Sequence, residues 1–239
     1  VTGFVDCHSH LLAGVDDGPR TDAESVQMLN DSASGGTRIL FVTSHLDERY
    51  PWTPQRASAL AEAFDHLQQL GADVPGCPEL RMGFEIAPRP GAPEFVADPA
   101  RWRLAGTDVV LVDGPDDIPM QHDAGILAYV ERVVAAGLRP VVAHPERRAF
   151  LFDGDHDFAY ELKSKGALLQ VDSGSLLGCD GPAVAAEAHR LLAEGLADLV
   201  ASDAHELGEA DLRPVRDLLH ERFGSDSDAL LDGTTLEER

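Results

Sequence analysis

The segment Asp6-Cys7-His8-Ser9-His10 sets two imidazoles two positions apart beside a carboxylate. In an extended chain side chains alternate, so His8 and His10 project to the same face. Neutral imidazoles with nearby carboxylates suit Zn²⁺, Mn²⁺ or Fe²⁺. Asp203-Ala204-His205 repeats the spacing near the far end of the chain, and Thr43-Ser44-His45, Phe84-Glu85, Val112-Asp113 and Ala143-His144 add single candidates. The loop Gly14-Val15-Asp16-Asp17-Gly18-Pro19 brings two more acids. Those read equally as an Asp-Gly turn and as donors reaching back to a metal.

These residues share a place in the chain, at the end of a short apolar run. The runs are Phe4–His8, Ile39–Ser44, Leu80–Ile86, Val109–Asp113, Pro140–His144, Leu168–Asp172 and Leu199–Asp203. Most lack polar alternation, as strands buried on both faces do. The candidates above stand at or beside the ends of the first five runs and the seventh. Helical stretches separate the runs. Thr21–Ser34 opens with the capping box Thr-Asp-Ala-Glu, and Pro54–Leu70 opens with a first-turn proline. Ala124–Ala136 and Pro182–Glu194 stop at Gly137 and Gly195, glycine caps in the usual place. Asp155–Lys165 and Asp211–Phe223 complete the set. Such β-α repetition makes a parallel sheet, open or closed. No Gly-rich phosphate loop follows the first strand, which weakens an open nucleotide-binding sheet. Polar strand ends favour a barrel, because barrel sites lie at the C-terminal ends of the strands.

Crowding so many imidazoles and carboxylates together is costly without cations, so a metal site outweighs a metal-free one. His66, His122, His156, His189 and His220 fall on helices or loops and read as surface residues. The length, 239 residues, fits one α/β barrel. We expect a single domain over residues 1–223 and a C-terminal tail over 224–239. No apolar run reaches the ~18–20 residues that span a bilayer, so no membrane insertion is expected. No basic segment precedes an apolar stretch at the N-terminus, so no signal peptide is expected. Cys7, Cys77 and Cys179 are odd in number and widely spaced, which argues against a disulfide framework and for the cytoplasm. A net charge of -23 repels phosphate backbones and disfavours nucleic acid.

Taken together, Asp-Cys-His-Ser-His, Asp-Asp-Gly-Pro, Thr-Ser-His, Gly-Phe-Glu-Ile, Ala-His-Pro-Glu-Arg and Ala-Ser-Asp-Ala-His resemble the polymerase and histidinol phosphatase (PHP) family. Within it the chain is most similar to bacterial manganese-dependent protein-tyrosine phosphatases of capsule and exopolysaccharide operons, from Phe4 to about Leu219. The resemblance implies a distorted (β/α)7 barrel of the PHP, TIM-like type and phosphomonoester hydrolysis by metal-activated water attack. It implies three divalent ions, Mn²⁺ first and Fe or Zn as alternatives. One would take His8, His10, Glu85 and Asp203, a second Glu85, Asp113 and His144, a third Asp17, His45 and His205. Asp113 departs from the family, which usually carries Glu there, one methylene longer. Arg147 and Arg213 match arginines that the family uses beside the phosphate, and Arg49 and Tyr50 would shape the entrance. The implied partner is a phosphotyrosine protein, such as a tyrosine-kinase tail, and homo-oligomers are compatible with it. Two rivals share the domain: a histidinol-phosphate or other small-molecule phosphatase, and a non-catalytic metal-binding module. Amidohydrolases normally use a bridging lysine, but Lys163 and Lys165 lie in a helix tail. Cys7 is expected to pack beneath the site, since the loop of cysteine phosphatases is absent.

Overall fold

The seven apolar runs become seven parallel strands in chain order: β1 Phe4–Asp6, β2 Thr37–Leu46, β3 Glu79–Ile86, β4 Val109–Val112, β5 Arg139–Ala143, β6 Leu168–Asp172 and β7 Leu199–Ala201. The structure is a computed structural model that describes residues 3–88, 98–114, 123–148, 152–153 and 156–237. His122 lies outside them, as does the side chain of His156. Each strand pairs with the next, and the sheet then curls toward its own first strand. Past the last ladder, Asp203 N–H donates to His8 O (2.9 Å) and His10 N–H donates to Ala204 O (2.9 Å). The barrel therefore closes at its mouth through the segments that carry the outermost metal candidates. At the base, Val5 N–H donates to Leu231 O (2.8 Å), so the C-terminal segment fills the gap between the edge strands.

Alternation along the strands sorts the core into two layers. Val5, Cys7, Phe41, Val109, Leu111, Val141, Ala143, Leu199 and Ala201 pack together inside the barrel. Val110, Val112, Val142, Leu169, Val171 and Val200 face outward beneath the helices. Six helices were expected, and all six form. They are α1 Asp22–Gly35, α2 Pro54–Gly71, α3 Asp123–Ala135, α4 Phe158–Ser164, α6 Pro182–Ala193 and α7 Arg213–Phe223. The capping box of α1 is complete: Thr21 Oγ1 accepts from Glu24 N–H, and Glu24 accepts from Thr21 N–H. Gly137 (φ 76) and Gly195 (φ 67) end α3 and α6 in left-handed geometry that a side chain would strain.

Three local features differ from expectation. Helix α5, Ser173–Leu177, was not foreseen, because five residues are too few to show a helical period. Helix α4 starts at Phe158 rather than Asp155, since Asp157 serves as its N-cap and accepts from Ala159 N–H. The residues after Phe223, expected as a tail, form two short 3-10 turns. Leu231 and Leu236 are buried there, and Arg139 on β5 donates to the Thr235, Leu236 and Glu237 carbonyls while pairing with Asp108.

Candidate metal centre

On β2, β4 and β7 the inward parity carries the site, whereas on β1 and β5 His8 and His144 directly follow the inward Cys7 and Ala143. Going up β2, Phe41 is followed by Thr43 and then His45. Going up β4, Leu111 is followed by Asp113, and on β7 Ala201 is followed by Asp203. The apolar layer thus ends one step below the polar one. His144 (φ 33) and Asp203 (φ 48) are the two non-glycine residues with positive φ among the described residues. That region is strained for side-chain-bearing residues, and such strain collects at functional sites. The Asp16-Asp17-Gly18 turn is held over His10, where a Cβ on Gly18 would stand 2.4 Å from the His10 carbonyl oxygen. Only glycine fits this approach, and it brings both acids into the mouth.

Glu85 lies at the centre of the cluster. Its Oε2 is 2.8 Å from His45 Nδ1, 3.4 Å from His8 Nε2 and 3.5 Å from His10 Nε2. Its Oε1 is 3.0 Å from His144 Nε2, which stands 3.9 Å from Asp113 Oδ1. Asp203 Oδ1 lies 3.0 Å from His8 Nε2 and 3.4 Å from His10 Nε2. Asp17 Oδ1 lies 3.1 Å from His45 Nε2 and 3.4 Å from His205 Nε2. All nine residues expected as ligands therefore meet in one cluster. Their donor atoms fall into overlapping groups within 4.8 Å: His8-His10-Asp203, His8-Glu85-His144, His45-Glu85-Asp113 and His10-Asp17-His45-His205. The groups cut across the implied assignment at three points: His8 also stands with Glu85 and His144, His45 with Glu85 and Asp113, and His10 with the Asp17 group.

The donor set fits cations. Glu85 Oε2, Asp203 Oδ1 and His144 Nδ1 are buried with no hydrogen-bond partner, an expensive condition unless something else is bound. His8 Nδ1 faces Gln170 Oε1 at 2.9 Å, and His10 Nδ1 faces Asp16 Oδ2 at 3.4 Å. With both Nδ1 atoms donating, the two Nε2 atoms look at each other across 3.2 Å. At most one proton fits between them, whereas a metal ion would accept both lone pairs. The titration behaviour agrees. Burial opposes charge on His45, but Glu85 and Asp17 lift it to about 10. Burial likewise opposes charge on His10 and His144, yet Asp16, Asp203 and Glu85 hold His10 well above the ordinary range, and Glu85 and Asp172 do so for His144. Glu85 and Asp203 are held far below it despite burial, by His45 and His8 for the first and His8 and His10 for the second. These imidazolium protons stand where cations would.

Arg147 reaches the cluster and Arg213 does not. Arg147 Nη1 donates to Asp203 Oδ2 (2.7 Å), and Nη2 lies 2.6 Å from Asp172 Oδ2. Arg213, at the start of α7, is exposed and is engaged by Asp211, which accepts from its backbone N–H, Nε and Nη2. Arg49 lies at the entrance, 3.7 Å from Asp17, and Tyr50 stacks parallel to His45 at 6.1 Å. Cys7 is buried in the apolar layer, and burial with the adjacent Asp6 pushes its thiol far up, away from nucleophilic use. His66 and His220 are held by Asp22 and Asp228, outside the cluster.

Sequence reasoning missed Gln170, Asp172 and Glu146 as components and left Asp16 open between a turn residue and a donor. Asp172 ends β6, so all seven strand ends contribute a polar group, and its period-two partner Gln170 was the available signal. Burial, with Asp203 nearby, raises the Asp172 carboxyl to about 6 against the pull of Arg147. Burial and Asp172 raise Glu146 to about 8.

The model of the family described as "Capsular polysaccharide synthesis, CpsB/CapC" matches residues 4–231. The tyrosine-protein phosphatase YwqE of Bacillus subtilis is 30% identical over 234 residues, covering 93% of this chain and 86% of the relative. The tyrosine-protein phosphatase CpsB of Streptococcus pneumoniae is 26% identical over 232 residues, 93% of this chain and 92% of that one. A crystal structure from work on those two proteins, described as unique metal-dependent tyrosine phosphatases, superposes with a TM-score of 0.78 at 28% identity, covering 93% of this chain and 88% of the other. With the barrel, the strand-end cluster and these likenesses in agreement, the chain belongs to the CpsB/CapC family of capsular polysaccharide synthesis.

Proposed function

We propose that this chain is a metal-dependent protein-tyrosine phosphatase. The observation that carries the reading is the pair of orphaned buried oxygens, Glu85 Oε2 and Asp203 Oδ1, each ringed by imidazole nitrogens. His8, His10, Glu85 and Asp203 would hold one ion, Glu85, Asp113 and His144 a second, and Asp17, His45 and His205 a third. Mn²⁺ is the proposed metal, with Fe and Zn as alternatives. Bound divalent ions supply Lewis acidity, which neutralises phosphoryl charge and acidifies water at neutral pH. The protein's own groups do the rest. Asp16 and Gln170 turn the lone pairs of His10 and His8 into the site. Arg147 adds a fixed positive charge at the edge of the carboxylates, suited to a phosphate dianion. A tyrosine phenolate, with a parent pKa of about 10, leaves more readily than an alkoxide and asks less of a general acid.

The proposed partner is a phosphotyrosine segment of a polysaccharide-biosynthesis kinase, met in the cytoplasm. No described helix is long and apolar enough to cross a membrane. The test is a side-by-side assay on a phosphotyrosine peptide and on histidinol phosphate. Chelation should abolish peptide hydrolysis and added Mn²⁺ restore it. Full activity after exhaustive chelation would sink the metal mechanism, and faster turnover of histidinol phosphate would replace the substrate class.

A further inference from the structure

Gln170 and Asp172 stand on β6 with both side chains buried. They close a ring through the metal centre. Gln170 Nε2 donates to Asp172 Oδ1 (2.6 Å). Gln170 Oε1 faces His8 Nδ1 (2.9 Å). His8 Nε2 meets Asp203 Oδ1 (3.0 Å), Asp203 Oδ2 accepts from Arg147 Nη1 (2.7 Å), and Arg147 Nη2 returns to Asp172 Oδ2 (2.6 Å).

The logic of donors and acceptors runs one way around this ring. An ionised carboxylate only accepts, so Asp172 must face the amide NH₂ of Gln170. The amide oxygen is then left for His8, and an oxygen there requires the proton on Nδ1. That leaves Nε2 bare and aimed at Asp203, His10 and Glu85, as a metal ligand must be. The other oxygen of Asp172 pairs with Arg147 Nη2, while Nη1 of the same guanidinium grips Asp203. One buried carboxylate outside the ligand set therefore fixes both an imidazole tautomer and an arginine orientation.

We infer that Asp172 and Gln170 are positioning residues that lock His8 in the Nε2-ligating tautomer and hold Arg147 against Asp203. The inference rests on the metal-centre reading above but not on the choice of substrate. Partners behind a metal-ligating imidazole are worth roughly 10–100-fold in metal affinity. Leucine at position 170 keeps bulk and removes the acceptor. Glutamate restores it, because a proton shared with Asp172 reproduces the same donors and acceptors.

The test is calorimetric titration of metal-free wild type, Gln170→Leu and Gln170→Glu with Mn²⁺, with circular dichroism to establish that each is folded. Gln170→Leu should weaken the tightest Mn²⁺ binding by about 10–100-fold, or lose one ion from the stoichiometry. Gln170→Glu should recover most of the loss. As a second arm, Asp172→Asn keeps an acceptor for Gln170 but sets an NH₂ against Arg147, so it should raise the KM for phosphotyrosine peptide more than it weakens Mn²⁺ binding. Folded Gln170→Leu with wild-type affinity and stoichiometry would overturn the relay, as would failure of Gln170→Glu to recover any affinity. Wild type that binds no Mn²⁺ would instead remove the metal reading beneath it. Wild type that binds Mn²⁺ but spares phosphotyrosine would remove only the substrate.

Discussion

Two layers of inward-facing side chains lie one step apart in this barrel, and they obey opposite rules. The lower layer, with Cys7, Leu111, Ala143 and Ala201, is apolar and packed. The upper one, with His8, Asp113, His144 and Asp203, crowds buried acids and imidazoles whose charges are set by one another. The lower layer gains free energy when water is excluded. The upper layer loses free energy by the same exclusion and recovers it through opposite charge, imperfectly, since Glu85 Oε2 and Asp203 Oδ1 remain without hydrogen bonds. The strands thus commit their lower halves to stability and their ends to chemistry. Substitutions in the two layers should therefore separate the two properties.

The largest effect should come from the upper layer. Asp203→Ala removes a carboxylate that faces His8, His10 and Arg147 together. Loss of one such charge-stabilising group lowers kcat by about 10²–10³-fold, while circular dichroism of the variant should remain that of wild type. A folded Asp203→Ala enzyme with wild-type kcat would dissolve the distinction between the layers. In the lower layer, Leu111→Ala should do the reverse. A fully buried leucine cut to alanine costs about 2–5 kcal/mol. At about 2–4 °C per kcal/mol for a chain of this size, the loss shows as a lowered Tm. Specific activity of the folded protein at low temperature should stay near wild type.

A smaller effect separates the layers by pH. In the metal-free protein His45 titrates near 10, above its ordinary 6.5. A raised imidazole stabilises fully below about 6.5, and that contribution is lost as pH climbs toward 10. The lowered Glu85 and Asp203 act oppositely, contributing above the ordinary carboxylate range and failing as pH falls through it. Metal-free Tm should therefore decline as pH rises above about 6.5. Metal ions displace the imidazolium protons, so the Tm increment from Mn²⁺ should grow over the same interval. An increment that shrinks with rising pH would mean that Mn²⁺ binds elsewhere.

The layers also differ in how legible they were. The strand runs were readable because double burial leaves few polar residues in them, and His8, His45, Glu85 and Asp203 stood out against that apolar background. Asp172 stood there equally, but the residue looked like an ordinary strand end, and only folding brings Arg147 to it. Nor does any local pattern announce that His144 and Asp203 adopt positive φ, since His and Asp, though enriched there, are mostly found at negative φ. The burial of Leu231 and Leu236 at the barrel base was hidden for a similar reason. Their partners, on β1 and β5, are distant in sequence.

The smallest effect concerns the two arginines matched through the family resemblance. Arg147 lies within the upper layer, whereas Arg213 sits on the rim with its side chain mostly exposed and both Nε and Nη2 taken by Asp211. The segment leading to it is pinned as well. Glu209 accepts from the backbone N–H groups of His205 and Glu206, and Gly208 N–H donates to Asp31. For Arg213 to reach a phosphate, its bonds to Asp211 must break and the segment must release those contacts. Surface substitutions away from such a site change energetics little, so Arg213→Ala should leave kcat/KM for phosphotyrosine peptide within about twofold. A tenfold rise in KM would instead mean that substrate draws the segment from Glu206 to Leu212 across the mouth, and the rim would then belong to the chemical layer.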